Sequence, residues 1–162
     1  IHKKGLFHAT VHVWIFTEKG NILIQKRSNK KKLNPGVWDV SVAGHIEYKE
    51  DTKAAAIRET YEETGINVKE SELLKLGIYK SVSNHREIID REFHYTYIVK
   101  IDEVKINLNY KNDEVDDLKF ISLEEMALLL NQNNQDFFIG KNKNYYKDII
   151  DAILKITKEN YQ

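Results

Sequence analysis

The 162-residue chain has no cysteine, a single proline and a single methionine. Without cysteine there is no disulfide, no thiolate metal site and no cysteine nucleophile. Charge of one sign is also missing, because 25 Lys and Arg balance 25 Asp and Glu. A broad basic face that would draw in a nucleic-acid polymer or an anionic membrane is therefore not expected. No apolar run reaches the roughly 18 residues of a membrane span, and no signal peptide is read. With the absent cysteines, this makes a cytoplasmic protein the expectation. The chain opens on Ile1 rather than Met, which leaves open whether preceding residues complete the site. No internal repeat or linker divides it, so residues 1–162 are expected to form one domain, long enough to bury a core without staples.

Hydrophobic alternation opens the chain. His8, Thr10, His12, Trp14 and Phe16 fall on one side, and Ala9, Val11, Val13 and Ile15 on the other, the pattern of a strand. Glu18–Asn21 reads as a turn into a returning strand, Ile22–Arg27. Ser28–Val37, polar and carrying Pro35-Gly36, reads as a loop. Trp38–Ala43 is expected to be a short strand ending at Gly44. Further strands are expected over Leu73–Val82, Glu92–Ile101 and Leu118–Ile121. Helices are expected over Asp51–Thr64, with Asp51 as N-cap and Gly65 as C-cap. Another runs from a capping box at Ser122–Glu125 to Leu130, and the last over Tyr145–Thr157. In that last helix Tyr146, Ile149, Ile150, Ile153 and Leu154 share one face, to pack on a sheet. Strands flanking a helix, with helices at the end, give an α/β or α+β layered fold.

The helix Asp51–Thr64 carries the chemistry. At about 100° per residue, Glu59, Glu62 and Glu63 crowd onto one arc, with the small Ala55 and Ala56 a turn before them. Ile57, Tyr61 and Ala54 fall opposite and are expected to face a core. Like charges at these spacings repel by a few tenths of a kcal/mol per pair, and Arg58 offsets this only in part. A bound hard cation, Mg²⁺ or Mn²⁺, relieves the rest. A solvated acidic face is the competing reading.

The residues around this helix run Gly44, five residues, Glu50, seven residues, Arg58-Glu59, two residues, Glu62-Glu63, Thr64, Gly65 and Ile66. This resembles the Nudix box at every fixed position, and departs only at Thr60, where that family usually has a larger apolar residue. The likeness spans residues 6–101. His8–Phe16, Gln25–Ser28, Pro35–Asp39 and Ala43-Gly44-His45 are similar to the Nudix subgroup related to isopentenyl-diphosphate isomerase. The resemblance implies an α/β/α sandwich with a mixed central sheet. It implies a metal-dependent hydrolase cleaving a diphosphate bond in a nucleotide-like or related small molecule.

Carried over by that resemblance, Glu59, Glu62 and Glu63 hold Mg²⁺ or Mn²⁺, joined by the Ala43 carbonyl. Glu50 and Arg58 pair to fix the loop against the helix, Gly44 permits a tight backbone path, and Glu59, Glu114 or Glu92 serves as general base. Arg27 and Lys31 match positions that grip a diphosphate. His8, His45, Asp90 and Glu92 match metal-binding positions of the isomerase. Where the isomerase has its catalytic cysteine, this chain has Ala43, which supplies neither acid nor base. Hydrolase is therefore the preferred reading. An isomerase-like enzyme and a catalytically silent nucleotide-sensing domain are the alternatives, and a homodimer stays open.

Overall fold

In the computed structural model, which describes residues 5–132, 134–139 and 142–159, the chain folds around one seven-stranded sheet. The strands are β1 (Phe7–Phe16), β2 (Asn21–Arg27), β3 (Trp38–Asp39), β4 (Val42–His45), β5 (Leu74–His85), β6 (Ile88–Lys100) and β7 (Val115–Ser122). The helices are α1 (Thr52–Thr64), α2 (Leu123–Asn131) and α3 (Lys143–Glu159). The main path runs β3-β2-β1-β6-β5, with β4 added to β1 and β7 to β2. Strand β1 pairs parallel with β6, and all other pairs are antiparallel. The sheet is mixed and covered on both faces, as the sequence led us to expect.

The alternation in β1 sorts the two layers, because successive strand residues point to opposite faces. Val11, Val13 and Ile15 join Leu23, Ala55 and Ala56 in the core on the α1 side. Trp14 and Phe16 join Ile22, Ile24, Met126, Ile149 and Ile153 under α2 and α3. The apolar face assigned to the last helix is the buried one: Tyr146, Ile149 and Ile153 are buried. Each such side chain contributes about 1.5–3 kcal/mol by leaving water. Asp51 caps α1 by accepting from the Lys53 and Ala54 amides, and Gly65 ends it in the left-handed conformation at φ 73°. Ser122 caps α2 by accepting from the Glu125 amide.

Three expectations need correction. The single strand Trp38–Ala43 is two strands, since Trp38–Asp39 pairs with β2 whereas Val42–His45 pairs with β1. The chain changes partner at Val40-Ser41, so apolar alternation continues while the hydrogen-bond ladder does not. The strands expected to end at Val82 and begin at Glu92 instead continue to a two-residue turn at Arg86-Glu87. There the polar residues Ser83–Glu87 break the apolar alternation, and the hairpin is held by backbone pairing.

The third correction concerns α1, which is rotated from the expected orientation. Its buried face is Ala55, Ala56, Glu59, Thr60, Glu63 and Thr64; Ile57 packs against the core as expected, while Tyr61 is 52% exposed and Ala54 is exposed. The two alanines let the helix approach the sheet closely. Thr60 and Thr64 satisfy their hydroxyls on the Ala56 and Thr60 carbonyls, at 2.6 Å each. Donors from neighbouring strands and Arg58 meet the carboxylates, so the acidic face could turn inward.

Candidate active site

The sheet is split where α1 docks. Thr10–Val13 of β1 pair with β4, whereas β1 meets β2 only at Phe16 and Ile22. Glu63, 2% exposed, is held by both sides of this opening. Gln25 of β2 donates from Nε2 to Glu63 Oε2 at 2.8 Å. The Ala43 amide of β4 donates to the two carboxylate oxygens at 3.3 and 3.4 Å. Glu59 lies one turn earlier against Gly44, and a Cβ on Gly44 would come within 2.5 Å of Glu59 Cγ. Gly44 therefore provides the space that Glu59 occupies.

Arg58 organises the charges. Its Nε and Nη2 make a two-pronged grip on Glu50 at 2.8 and 2.9 Å. Nη2 also donates to the His45 carbonyl at 3.0 Å, and Nη1 to Glu59 Oε1 at 2.8 Å and to the more exposed Glu62 at 3.3 Å. The fork geometry of a guanidinium permits this sharing, which a lysine could not reproduce. The Arg58 bonds hold the Glu50 carboxyl below its ordinary range. Burial, opposed in part by Arg58, pushes Glu59 up. Burial also pushes Glu63 up to about 8; the Gln25 bond opposes this, and the charges of Glu59 and Glu114 add to it. Glu114, outside the helix, thus faces both buried carboxylates electrostatically. Glu62 sits at the rim with its side chain half exposed.

The remaining sequence-predicted residues fall into two groups. Arg27 donates to the loop carbonyls of Leu33 (3.3 and 3.0 Å) and Asn34 (3.2 Å), and so ties the 28–37 loop to β2. Lys31 on that loop forms a 2.9 Å ion pair with Glu114. His8, His45, Asp90 and Glu92 lie on the other side of the sheet, the side of α3. His45 stands opposite Thr10, and Glu92 opposite His8; residues directly opposite share a face. His8 Nε2 is 3.0 Å from Glu92 and 3.7 Å from Asp90. Ligand atoms of His8, His45 and Glu92 lie within 4.8 Å of one another. The candidate metal residues therefore form two sets on opposite faces rather than one shell.

Sequence reasoning missed a further group beside the histidines. Trp14 Nε1 donates to the Tyr145 hydroxyl at 2.9 Å, and that hydroxyl lies 2.7 Å from His12 Nδ1. An indole can only donate, so the phenol oxygen accepts from Trp14. His12 stacks on His94 at 3.9 Å between centroids. Burial, the neighbouring His94 and Arg27 hold the His12 pKa well below the usual histidine range. Burial lowers His94 to about 4. The alternation placed His12 on this face, but Tyr145 and His94 come from distant segments. Gln25 stands two residues before Arg27 on a strand, and that position gives no sign in the sequence of the glutamate it reaches.

The NUDIX domain family profile matches residues 6–139, and the chain belongs to that family. It is 31% identical over 181 residues to an uncharacterised Nudix hydrolase of Clostridium acetobutylicum, covering 95% of this chain and 87% of that protein. It is 32% identical over 154 residues to isopentenyl-diphosphate Delta-isomerase 2 of Photorhabdus laumondii, covering 94% and 81%. Its fold is similar to that of a bifunctional NMN adenylyltransferase/ADP ribose pyrophosphatase from Francisella tularensis, solved in complex with AMP and a manganese ion. That match has a TM-score of 0.64 and 22% identity, and covers 94% of this chain and 42% of the other. Box, fold and relatives together make this a Nudix-class pyrophosphohydrolase. Among the described residues, no helix is long and apolar enough to cross a membrane.

Proposed function

We propose that the protein hydrolyses a diphosphate bond in a small molecule, with Mg²⁺ or Mn²⁺ held by Glu59, Glu62 and Glu63 and the Ala43 carbonyl. The observation that carries this reading is the pair Glu59 and Glu63. Both are buried carboxylates, both are raised in pKa by burial, and they sit beside a glycine whose missing side chain makes room for one of them. An all-oxygen, acidic donor set fits a hard divalent cation. The cofactor would neutralise phosphate charge and acidify a water.

The protein's own groups have separable tasks. Glu50 and Arg58 lock the loop to α1. Gln25 and Ala43 hold Glu63, and Gly44 accommodates Glu59. Arg27 and Lys31 bind the substrate diphosphate, with Lys31 exchanging Glu114 for a phosphate oxygen. In the reaction, the oxygen of water bonds to one phosphorus and the bridging P–O bond breaks. The water's proton passes to a carboxylate, Glu59 or Glu114. Nucleotide-linked diphosphates are the first substrate class to test, which fits the AMP complex of the structural neighbour.

The isomerase-like reading keeps one specific support, the His8, His45 and Glu92 grouping beside Asp90. Against it stands Ala43, opposite His12 on that same face, where the isomerase subgroup has cysteine. The decisive experiment assays nucleoside di- and triphosphates, nucleotide sugars, dinucleotides and isopentenyl diphosphate with Mg²⁺ and with Mn²⁺. Hydrolysis of a diphosphate bond, read as phosphate, diphosphate or phosphomonoester products, is expected, and it should fall by orders of magnitude in Glu63→Gln. Conversion of isopentenyl diphosphate without phosphate release would replace the hydrolase reading. No turnover of any compound would leave the sensing domain.

A further inference from the structure

We infer that Gln25 is a positioning residue for the metal-binding carboxylate Glu63, an inference that rests on the metal-dependent reading above. Gln25 lies in the ladder of β2, between Asp39 of β3 and Leu118 of β7, and is 4% exposed. Its side-chain nitrogen spends its two hydrogens on two acceptors: Glu63 Oε2 at 2.8 Å and the Ser41 carbonyl at 3.0 Å. The Ser41 carbonyl can only accept, so a flipped amide would set its oxygen against that carbonyl oxygen. The orientation of the amide is thereby forced.

Ser41 is itself immobilised. Its hydroxyl accepts from the Ile15 amide at 2.8 Å and donates to the Leu23 carbonyl. Gln25 thus bridges a rigid anchor at the split in the sheet to a side chain arriving from the helix. Ala43 cannot do this alone, because its amide is nearly equidistant from the two oxygens of Glu63, at 3.3 and 3.4 Å. The shorter and stronger bond from Gln25 selects which oxygen is held and so sets the rotation of the carboxylate. Both donors to Glu63 are neutral, so the carboxylate is oriented without being neutralised and its charge stays available to a cation. A lysine or arginine at position 25 would orient Glu63 and cancel its charge at once.

The test uses Gln25→Met, of similar length but with no donor, and Gln25→Lys. Mn²⁺ binding is followed by electron paramagnetic resonance without substrate, and folding by the melting temperature in EDTA. Loss of an outer partner of a metal ligand weakens metal affinity by about 10- to 100-fold. Gln25→Met is expected to raise the Mn²⁺ dissociation constant about tenfold. Its kcat is expected to recover at saturating Mn²⁺, with the KM for the diphosphate unchanged. Gln25→Lys is expected to weaken Mn²⁺ binding further, and it serves as the test if the methionine variant does not fold. Folded variants that bind Mn²⁺ like wild type, while wild type binds it well, would overturn the role of Gln25 and leave the metal reading intact. A wild-type protein that binds no Mn²⁺ would overturn both.

Discussion

Burying Glu63 makes the stability of the metal-free protein depend on pH in a defined direction. The folded state raises its pKa from an ordinary 4.5 to about 8. For an acid shifted upward, the stabilising contribution is fully present below 4.5 and is lost as pH climbs through about 8. The folded state holds the proton that the unfolded chain has released. His12 and His94 act in the opposite sense, because their lowered values favour folding only above the ordinary histidine range. The histidines and Glu59, which burial also raises, are common to wild type and a Glu63 variant, so the difference between the two from pH 6.5 to 8 isolates Glu63.

Each unit of pKa difference is worth about 1.4 kcal/mol, so crossing that window costs about 2 kcal/mol. For a chain of this size that is a drop in Tm of about 4–8 °C. The assay is differential scanning fluorimetry in EDTA at pH 6.5, 7.2 and 8.0, comparing wild type with Glu63→Gln, which cannot ionise. The wild-type Tm should fall with pH relative to the variant, and saturating Mn²⁺ should abolish the slope by taking the place of the proton. A Tm difference that stays constant from pH 6.5 to 8 would refute the claim that Glu63 is a desolvated acid.

Two further predictions concern the frame around the carboxylates. Gly44→Ala drives a Cβ into the Glu59 side chain. It should cost about 1–3 kcal/mol of stability through overpacking and should weaken Mn²⁺ binding, both visible in thermal melts with and without the ion. Arg58→Lys keeps the charge but loses the fork that reaches Glu50, Glu59, Glu62 and the His45 carbonyl. Activity should fall at least tenfold, a drop of about 1.4 kcal/mol or more in transition-state stabilisation. Activity within twofold of wild type would show that charge alone suffices there.

Much of the architecture was legible in the chain itself. The caps of α1 are local devices, Asp51 at one end and Gly65 at the other, written in adjacent residues. Strand β1 declared its two faces by alternation, and both faces proved to be core or site. The resemblance of Gly44, Glu50, Arg58, Glu59, Glu62 and Glu63 to the Nudix box marked the site, and within α1 the helix itself brings Glu59, Glu62 and Glu63 together, because residues three and four apart are neighbours on it. These features depend on contacts between near neighbours in sequence, which a pattern can encode.

Other features were settled by partners far away in the chain. Helix α1 turned its acidic face to the sheet because Gln25, Ala43 and Arg58 supply donors there, and no helical wheel contains the first two. The break at Val40-Ser41 arose because β4 found a partner in β1 and β3 one in β2. The sheet likewise placed the histidines behind the box carboxylates rather than beside them. The sequence by itself determined which residues could do chemistry and which local elements carry them. Only the tertiary structure decided which carboxylates lost their water and which donors replaced it, because desolvation depends on everything that packs around a group.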